Sequence, residues 1–286
     1  MNTTNSNPQN TDLLIIEKKN EVYITVDCDP NIQREISEFF TFYVPGYKFM
    51  PSFRNRIWDG KIRLFSQKTK EIYFGLYPYI KAFAEERGYN IVSGKDVDID
   101  HKVNRETVTK FSNSLGQKFE ARDYQIDAIY YSLKRNRALL VSPTASGKSF
   151  IIYSLIRYYT HLIKEQHNSR ILLIVPTTSL VEQMYTDFES YGWNVKRYCH
   201  RLYSGYSNQT DKKVLISTWQ SLFRLPKSYF EQFGVVFGDE AHLFKSKSLT
   251  EIMTKLIDCK YRIGLTGTLD GAHTHKLVLE GLFGAV

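Results

Sequence analysis

Cysteine is scarce in this chain. Cys28, Cys199 and Cys259 are its only three, far apart in sequence, which excludes the close ligand spacing of a zinc or redox motif and argues against a disulfide-stapled fold. A reducing, cytoplasmic setting is expected. Long apolar runs are also missing: none approaches the roughly 18 to 20 residues of a membrane span, so no membrane partner is expected. The first residues, MNTTNSNPQNTD, are polar and have no signal-peptide core. Residues 1–10 read as a frayed tail, and no repeat or low-complexity block follows these Asn-rich residues. Acid is in deficit, with 30 Asp and Glu against 38 Lys and Arg, giving a net charge of +8 and a pI near 9.1. A polyanionic partner fits that balance. What the chain does have is 42% hydrophobic residues in 286, enough for two domains with their own cores.

The most informative stretch is SPTASGKS, Ser142 to Ser149. It follows the apolar run Ala138 to Val141 and precedes a helical pattern from Phe150. A buried strand breaking into a Gly-containing loop and then a helix aims backbone N–H groups and a positive helix end at one point, which suits a phosphate. Lys148 would reach the β and γ phosphates, and the Ser149 hydroxyl would ligate the bridging Mg²⁺. Ser142 stands where the usual G-x-x-x-x-G-K-[ST] pattern has glycine. Taken alone, the stretch also fits an ordinary strand-to-helix turn.

A second cluster removes that ambiguity. Val235, Val236 and Phe237 lead into Asp239, Glu240, Ala241 and His242, which reads as a buried parallel strand delivering acids at its C-terminal edge. Asp239 would hold Mg²⁺ and Glu240 would orient or deprotonate the attacking water. A solvated strand end explains such a pair in isolation, but not together with a phosphate loop upstream.

Nearer the N-terminus, Leu13–Ile16 and Val22–Val26 predict a hairpin, and Asp29-Pro30 starts a helix lined by Ile32, Ile36, Phe39 and Phe40. Ile72–Leu76 is a further strand and Pro78–Arg87 a helix stopped by Gly88. Between them, residues 47–70 carry Lys48, Arg54, Arg56, Lys61, Arg63, Lys68 and Lys70 against the single acid Asp59, interleaved with Tyr47, Phe49, Phe53, Trp58 and Phe65. Cations neutralise phosphates and aromatic faces stack on bases, so this is a candidate nucleic-acid surface, with Lys48, Arg54, Arg56, Trp58, Lys61 and Arg63 as its contacts. The competing reading is a set of half-buried strands with alternating inward and outward faces. The rest of the first 115 residues is net acidic, so the positive charge is concentrated here. Residues 93–101 are polar and Asp-rich and read as linker. Residues 104–115 predict one more helix, and the domain boundary is set at 115.

From Lys118 strands alternate with helices, which predicts a doubly wound parallel α/β sheet. Residues 138–141, 171–175, 214–216, 235–237 and 261–265 are its five strands, and each of the last four ends in polar or small residues. Here the residues reach a known family. RDYQ, SPTASGKS, VPTTSLVEQ, STWQS, GDEAH and LTGT resemble, in order, the Q-like element and motifs I, Ia, Ib/Ic, II and III of the superfamily 2 helicases. The resemblance is closer still to the UvsW helicases of T-even-type bacteriophages, and it covers nearly the whole chain. YKFMPSFRNRIWDGKIRLF is similar to that family's small N-terminal domain. The box here is DEAH, with Ala241 where that family is expected to carry cysteine.

The resemblance implies a small α+β nucleic-acid-binding domain over residues 11–115 and a RecA-like P-loop domain over 116–286. It implies ATP and Mg²⁺ as cofactors. Arg122, Tyr124 and Gln125 would contact the adenine, and Thr144, Gly147, Lys148 and Ser149 the phosphates. His242 would couple the nucleotide to the loop of Thr266, Gly267 and Thr268. Pro176, Thr177 and Thr178, with Thr218, Trp219 and Gln220, would touch a sugar-phosphate backbone without reading sequence. Such motors have two RecA-like domains, the second supplying arginine fingers worth about 10³ to 10⁵ in rate. The chain stops at Val286, just past LTGT, and is read as the N-terminal half of the motor, with little ATP turnover by itself. The implied activity is ATP-dependent remodelling of branched DNA and RNA–DNA hybrids, by a monomer in the cytoplasm of the host cell. A duplex-DNA translocase and a non-catalytic nucleic-acid-binding scaffold are the alternatives.

Overall fold

The computed structural model describes residues 12–98, 101–143, 145–269 and 273–286. Two compact units divide at Asp98, inside the Asp-rich linker and not at the expected boundary of 115. The helix Arg105–Asn113 sends Val108 into the same core as the parallel strands. Its apolar spacing identifies a helix, but nothing in it says which core it enters.

The first unit is built on a mixed sheet. Strands β1 (Leu13–Lys18), β2 (Tyr23–Asp27), β3 (Thr41–Tyr43), β4 (Lys61–Arg63), β5 (Phe65–Ser66), β6 (Glu71–Tyr73) and β7 (Asn90–Ser93) form a five-stranded sheet in the order β5-β6-β2-β1-β7, with β3 and β4 as a separate antiparallel pair. The predicted hairpin is β1–β2, antiparallel, with Ile16 opposite Val26. Helix α1 (Pro30–Phe39) starts on the Asp29 side chain, which accepts from the Asn31 N–H, and buries Ile32 and Ile36. A short helix α2 (Pro51–Arg54) and a longer one, α3 (Tyr77–Arg87), complete the unit. Gly88 ends α3 at φ 73°, a left-handed value that glycine adopts without strain.

In the second unit, α4 (Arg105–Asn113) and α5 (Asp123–Arg135) precede β8 (Arg137–Val141), α6 (Lys148–Leu162), β9 (Arg170–Val175) and α7 (Thr178–Ser190). Then come α8 (Val195–Tyr198), β10 (Cys199–Leu202), β11 (Val214–Thr218), α9 (Trp219–Phe223), α10 (Lys227–Phe230), β12 (Phe233–Asp239), α11 (Lys247–Lys255), β13 (Tyr261–Thr266) and α12 (His273–Phe283). The six strands are all parallel, in the order β10-β11-β9-β12-β13-β8. Every residue of β11, β12 and β13 is buried, as a parallel sheet covered on both faces requires. This is the expected RecA-like sheet. One strand, β10, was not anticipated: its sequence CHRL carries a polar middle because it lies at the sheet edge.

Sheet order sets the site. β13 lies between β8, which feeds the phosphate loop, and β12, which ends in Asp239. Two inter-strand steps separate the loop from the acids by about 9 to 10 Å, room for phosphate and a cation. Gly238 makes the approach possible from behind, since a Cβ there would lie 2.7 Å from the rings of Phe244 and Phe283.

Arg262 is fully buried in β13. Its Nε donates to the Cys259 carbonyl at 3.1 Å and its Nη1 to the Met253 carbonyl at 3.2 Å, while Nη2 donates to Leu256. These carbonyls close the C-terminal end of α11, where a helix leaves acceptors unmatched and favours a cation. Replacing Arg262 by Met is expected to lower stability by about 2 to 4 kcal/mol, because the acceptors stay buried without donors. Urea unfolding monitored by circular dichroism checks this, and an unchanged midpoint would contradict it.

Candidate nucleotide and nucleic-acid sites

The phosphate loop is shaped by two residues in the left-handed region, Ala145 at φ 64° and Gly147 at φ 80°. Ser142 does not take a positive φ, so glycine is not needed at that first place. Its N–H instead donates to the Thr266 carbonyl at 2.8 Å, and its hydroxyl meets that of Ser146. Gly147 is required twice over: a Cβ there would lie 2.4 Å from Gln125 Nε2. Thr144 lies outside the described residues.

Helix α5 braces the loop. Tyr124 donates its hydroxyl to the Ser146 carbonyl at 2.8 Å, and Gln125 Nε2 donates to the same oxygen at 3.0 Å. Gln125 Oε1 accepts from the Arg122 N–H at 3.0 Å, and Arg122 Nη1 donates to Tyr124 Oη at 2.9 Å. Both ends of the Gln125 amide are engaged within the protein, its nitrogen on the Ser146 carbonyl of the loop and its oxygen on the Arg122 N–H.

The lysine and the acids meet at the rim of the sheet. Lys148 Nζ is 3.4 Å from Glu240 Oε1, and the other carboxylate oxygen of Glu240 is 3.3 Å from His242 Nδ1. His242 Nδ1 is also 2.9 Å from Thr266 Oγ1, which donates onward to the Thr268 carbonyl at 2.8 Å. With that donation fixed, the His242 Nδ1–H is the donor to Thr266. Glu240 has φ 50° and ψ 52°, a left-handed conformation that costs a non-glycine residue about 1 to 2 kcal/mol. That turn swings its carboxylate between the lysine and the histidine. Asp239, by contrast, points into the protein. It is 4% exposed, and its Oδ1 has no hydrogen-bond partner. Burial, and secondarily the charge of Glu240, push its carboxyl up to about 6. An orphaned buried carboxylate oxygen beside a phosphate loop fits a divalent cation, which takes one or two carboxylates and completes its shell from phosphate oxygens. Among the described residues no cluster of three or more His, Cys, Asp or Glu forms a metal site by itself.

The aromatic surroundings were not foreseen. A cleft of about 260 Å³ opens beside the loop, lined by Phe119, Arg122, Gln125, Gly147, Phe150 and Tyr191. Phe119 is half exposed there, with its ring edge-on to Phe150 at 5.0 Å. Tyr191 meets Ser149 through their hydroxyls at 2.9 Å, and Ser149 also bonds the Asp187 carboxyl, whose pKa burial raises. An aromatic residue three positions before RDYQ was the available signal for Phe119. Tyr191 had none.

Of the two predicted backbone-contact loops, Pro176, Thr177 and Thr178 stand at the C-terminal end of β9. Thr177 and Thr178 are exposed, and Thr177 caps α7 by accepting from the Leu180 N–H at 3.3 Å. In the other loop Gln220 is exposed and Trp219 half-buried, whereas Thr218 is 3% exposed with its hydroxyl turned to Ser221. Gly267 and Thr268 follow β13.

In the first unit, Lys48, Arg54 and Arg56 are exposed. Lys61 lies over the Tyr43 ring at 4.9 Å, and the Trp58 indole N–H donates to the Lys61 carbonyl at 2.9 Å. Arg63 is paired with Asp59, whose carboxyl it holds at about 2, well below the usual carboxylate range. Part of the charge of Arg63 is therefore already neutralised.

Comparisons with known proteins agree with both units. The family model described as "Type III restriction enzyme, res subunit" matches residues 118–271, and that described as "DNA helicase UvsW, N-terminal" matches residues 15–94. The crystal structure of the UvsW helicase from bacteriophage T4 superposes with a TM-score of 0.85 at 32% identity, covering 95% of this chain and 98% of that one. The chain belongs to the UvsW helicase family. The ATP-dependent DNA helicase UvsW of Enterobacteria phage T4 is 33% identical over 273 residues, which are 92% of this chain and 53% of the relative. The DNA 3′-5′ translocase XPB2 of Sulfurisphaera tokodaii is 28% identical over 179 residues, 58% of this chain and 36% of the relative. The chain thus spans about half the length of the T4 relative. Membership of this family implies use of ATP. Among the described residues no helix is long and apolar enough to cross a membrane.

The buried carboxyl has a measurable signature. An unfolded aspartate titrates near 3.9, so Asp239, held at about 6, contributes most to stability below the unfolded value and loses that contribution as pH rises through about 6. In metal-free buffer, Asp239→Asn should therefore gain on the parent by roughly 1 to 1.5 kcal/mol between pH 5 and pH 7.5. Urea unfolding across that range measures it, and a difference that does not vary with pH would refute the assignment.

Proposed function

We propose that this chain is the nucleic-acid-binding and first motor part of an ATP-dependent helicase that remodels branched DNA and RNA–DNA hybrids in recombination, repair and replication. The observation that carries this reading is the line Lys148–Glu240–His242–Thr266 along the sheet rim, which joins the phosphate loop to the loop after β13. Lys148 binds the β and γ phosphates. Ser149 and Asp239 would hold Mg²⁺, which when bound would supply positive charge against the phosphates. Glu240 leaves Lys148 to the phosphate and orients the attacking water, accepting its proton. His242 passes the change at Glu240 to Thr266 and so to Gly267 and Thr268. Pro176, Thr177, Thr178, Trp219 and Gln220 hold a sugar-phosphate backbone, with Thr218 supporting them from inside. A monomer in the host-cell cytoplasm fits this role.

A duplex translocase is the second reading, favoured by the match of residues 118–271 to the res subunit family. Strand displacement separates the two, because a translocase moves on duplex without opening it.

With a second motor domain fused after Val286, Lys148→Ala and Glu240→Gln should each lower nucleic-acid-stimulated ATP hydrolysis by about 10³-fold or more. Glu240→Gln should still bind a fluorescent ATP analogue. His242→Ala should retain ATP turnover and lose most strand separation, and full activity of Glu240→Gln would defeat the proposal. For the first unit, replacing Lys48, Arg54 and Arg56 together by Ala should weaken binding to all sequences and reduce the slope of log K against log salt by about 2 to 3. Arg63→Ala should change that slope by less, because Asp59 already engages it. Equal slopes for the parent and the triple variant would exclude phosphate contact there.

A further inference from the structure

Ser149 is the second residue of α6, and its hydroxyl is engaged from outside the phosphate loop. Asp187 lies on α7 and Tyr191 immediately beyond it, four residues apart, so both look out from one side of that helix. That side meets α6. The Tyr191 and Ser149 hydroxyl oxygens are 2.9 Å apart, and Ser149 also bonds the Asp187 carboxyl. No cation acts on Asp187. A half-buried carboxyl is thus kept beside the loop with a serine, and not a lysine or arginine, to answer it.

Donors and acceptors in this trio follow from valence. A serine hydroxyl has one proton and two lone pairs, whereas a carboxylate only accepts. Ser149 therefore gives its proton to Asp187, and the Tyr191 O–H donates to Ser149 Oγ. One lone pair of that oxygen is left, in a fixed direction. The proton is not spent on Asp239, whose Oδ1 has no hydrogen-bond partner. Without the two neighbours the hydroxyl would turn about its Cβ–Oγ bond and present its proton as readily as a lone pair.

The tyrosine is itself held. Its ring lies edge-on to Phe150 at 5.6 Å and to Phe119 at 5.8 Å, and it is 5.1 Å from the ring of Tyr153. Tyr153 is anchored in turn by donating to the Leu115 carbonyl at 3.1 Å. The chain then leaves through Gly192 at φ 89°, where a Cβ would lie 3.1 Å from the Gly116 carbonyl. Three rings and a tight exit keep the phenol oxygen against Ser149.

We infer that Tyr191 and Asp187 are positioning residues for the divalent cation, holding the remaining lone pair of Ser149 ready for it. This rests on the reading of Ser149 and Asp239 as the residues that hold Mg²⁺, and it adds the side chains that orient one of the two. Partners behind a metal ligand fix its direction and raise its basicity, and losing one costs about 10- to 100-fold in metal affinity. A mere brace between α6 and α7 would act on folding and on nucleotide binding whether or not the cation is present.

The test titrates the 286-residue chain with the fluorescent analogue mant-ATP, once in EDTA and once in excess Mg²⁺. The parent should bind more tightly in Mg²⁺. Tyr191→Phe keeps the ring and loses the hydroxyl, so its affinity in EDTA should stay within about twofold of the parent, while the factor gained from Mg²⁺ falls about tenfold. Asp187→Ala should behave in the same way. In a Ser149→Ala background, Tyr191→Phe should change that factor by less than about twofold, because the hydroxyl to be oriented is gone. An unchanged Mg²⁺ factor in either single variant overturns the inference. So does affinity lost equally in EDTA and in Mg²⁺, which marks a brace, and so does a Tyr191→Phe effect of full size without the serine hydroxyl. If Mg²⁺ does not tighten binding by the parent, the cation reading of Ser149 and Asp239 falls, and this inference falls with it.

Discussion

One carboxylate organises the nucleotide end of this molecule. Glu240 sits between Lys148 and His242, and it reaches them because a single strand, β13, separates β8, which feeds the loop before the lysine, from its own strand. With β8 and β12 adjacent, lysine and acid would neutralise each other with no space for a phosphate. With two strands between them, neither could answer the other. The order of a parallel sheet, set by right-handed crossovers and buried apolar strands, therefore fixes an electrostatic distance.

The two acids of the box divide their work through environment. Glu240 is displayed by a strained turn and paired with two cationic or cation-capable partners. Its neighbour Asp239 is sunk at the end of β12 with one oxygen unmatched, so it holds its proton more tightly than a free aspartate. Adjacent residues of nearly identical chemistry thus come to differ, one displayed at the rim and one sunk in the protein. No change of residue type is needed, only a change of burial.

Much of this was legible in the sequence. The buried strands were readable because β9, β11, β12 and β13 are covered on both faces and so are apolar throughout. That the loop lysine and the acids would meet was readable because both follow apolar runs of parallel strands, which open at one edge of the sheet. What stayed hidden depends on side-chain direction. Thr218 looks like its neighbour Gln220 in the sequence but turns inward, and Arg63 looks like Arg54 but is held by Asp59. Gln125 braces the loop with its amide nitrogen while its amide oxygen caps its own helix at Arg122, which no spacing reveals. The edge strand β10 and the buried Arg262 failed the apolar pattern for opposite reasons. One is too little covered to be apolar, and the other is a charge sealed in by carbonyls.

Helix α7 has a mechanical consequence. Tyr191, immediately beyond its last residue, holds the hydroxyl of Ser149, and Thr177 caps its first turn. Thirteen residues of helix make a stiff rod of about 20 Å. Its two ends serve as fittings, one on Ser149 of the loop after β8 and one on the loop after β9. A rod of this kind transmits displacement without storing it, so a hydroxyl that lets go of its tyrosine frees the far fitting as well.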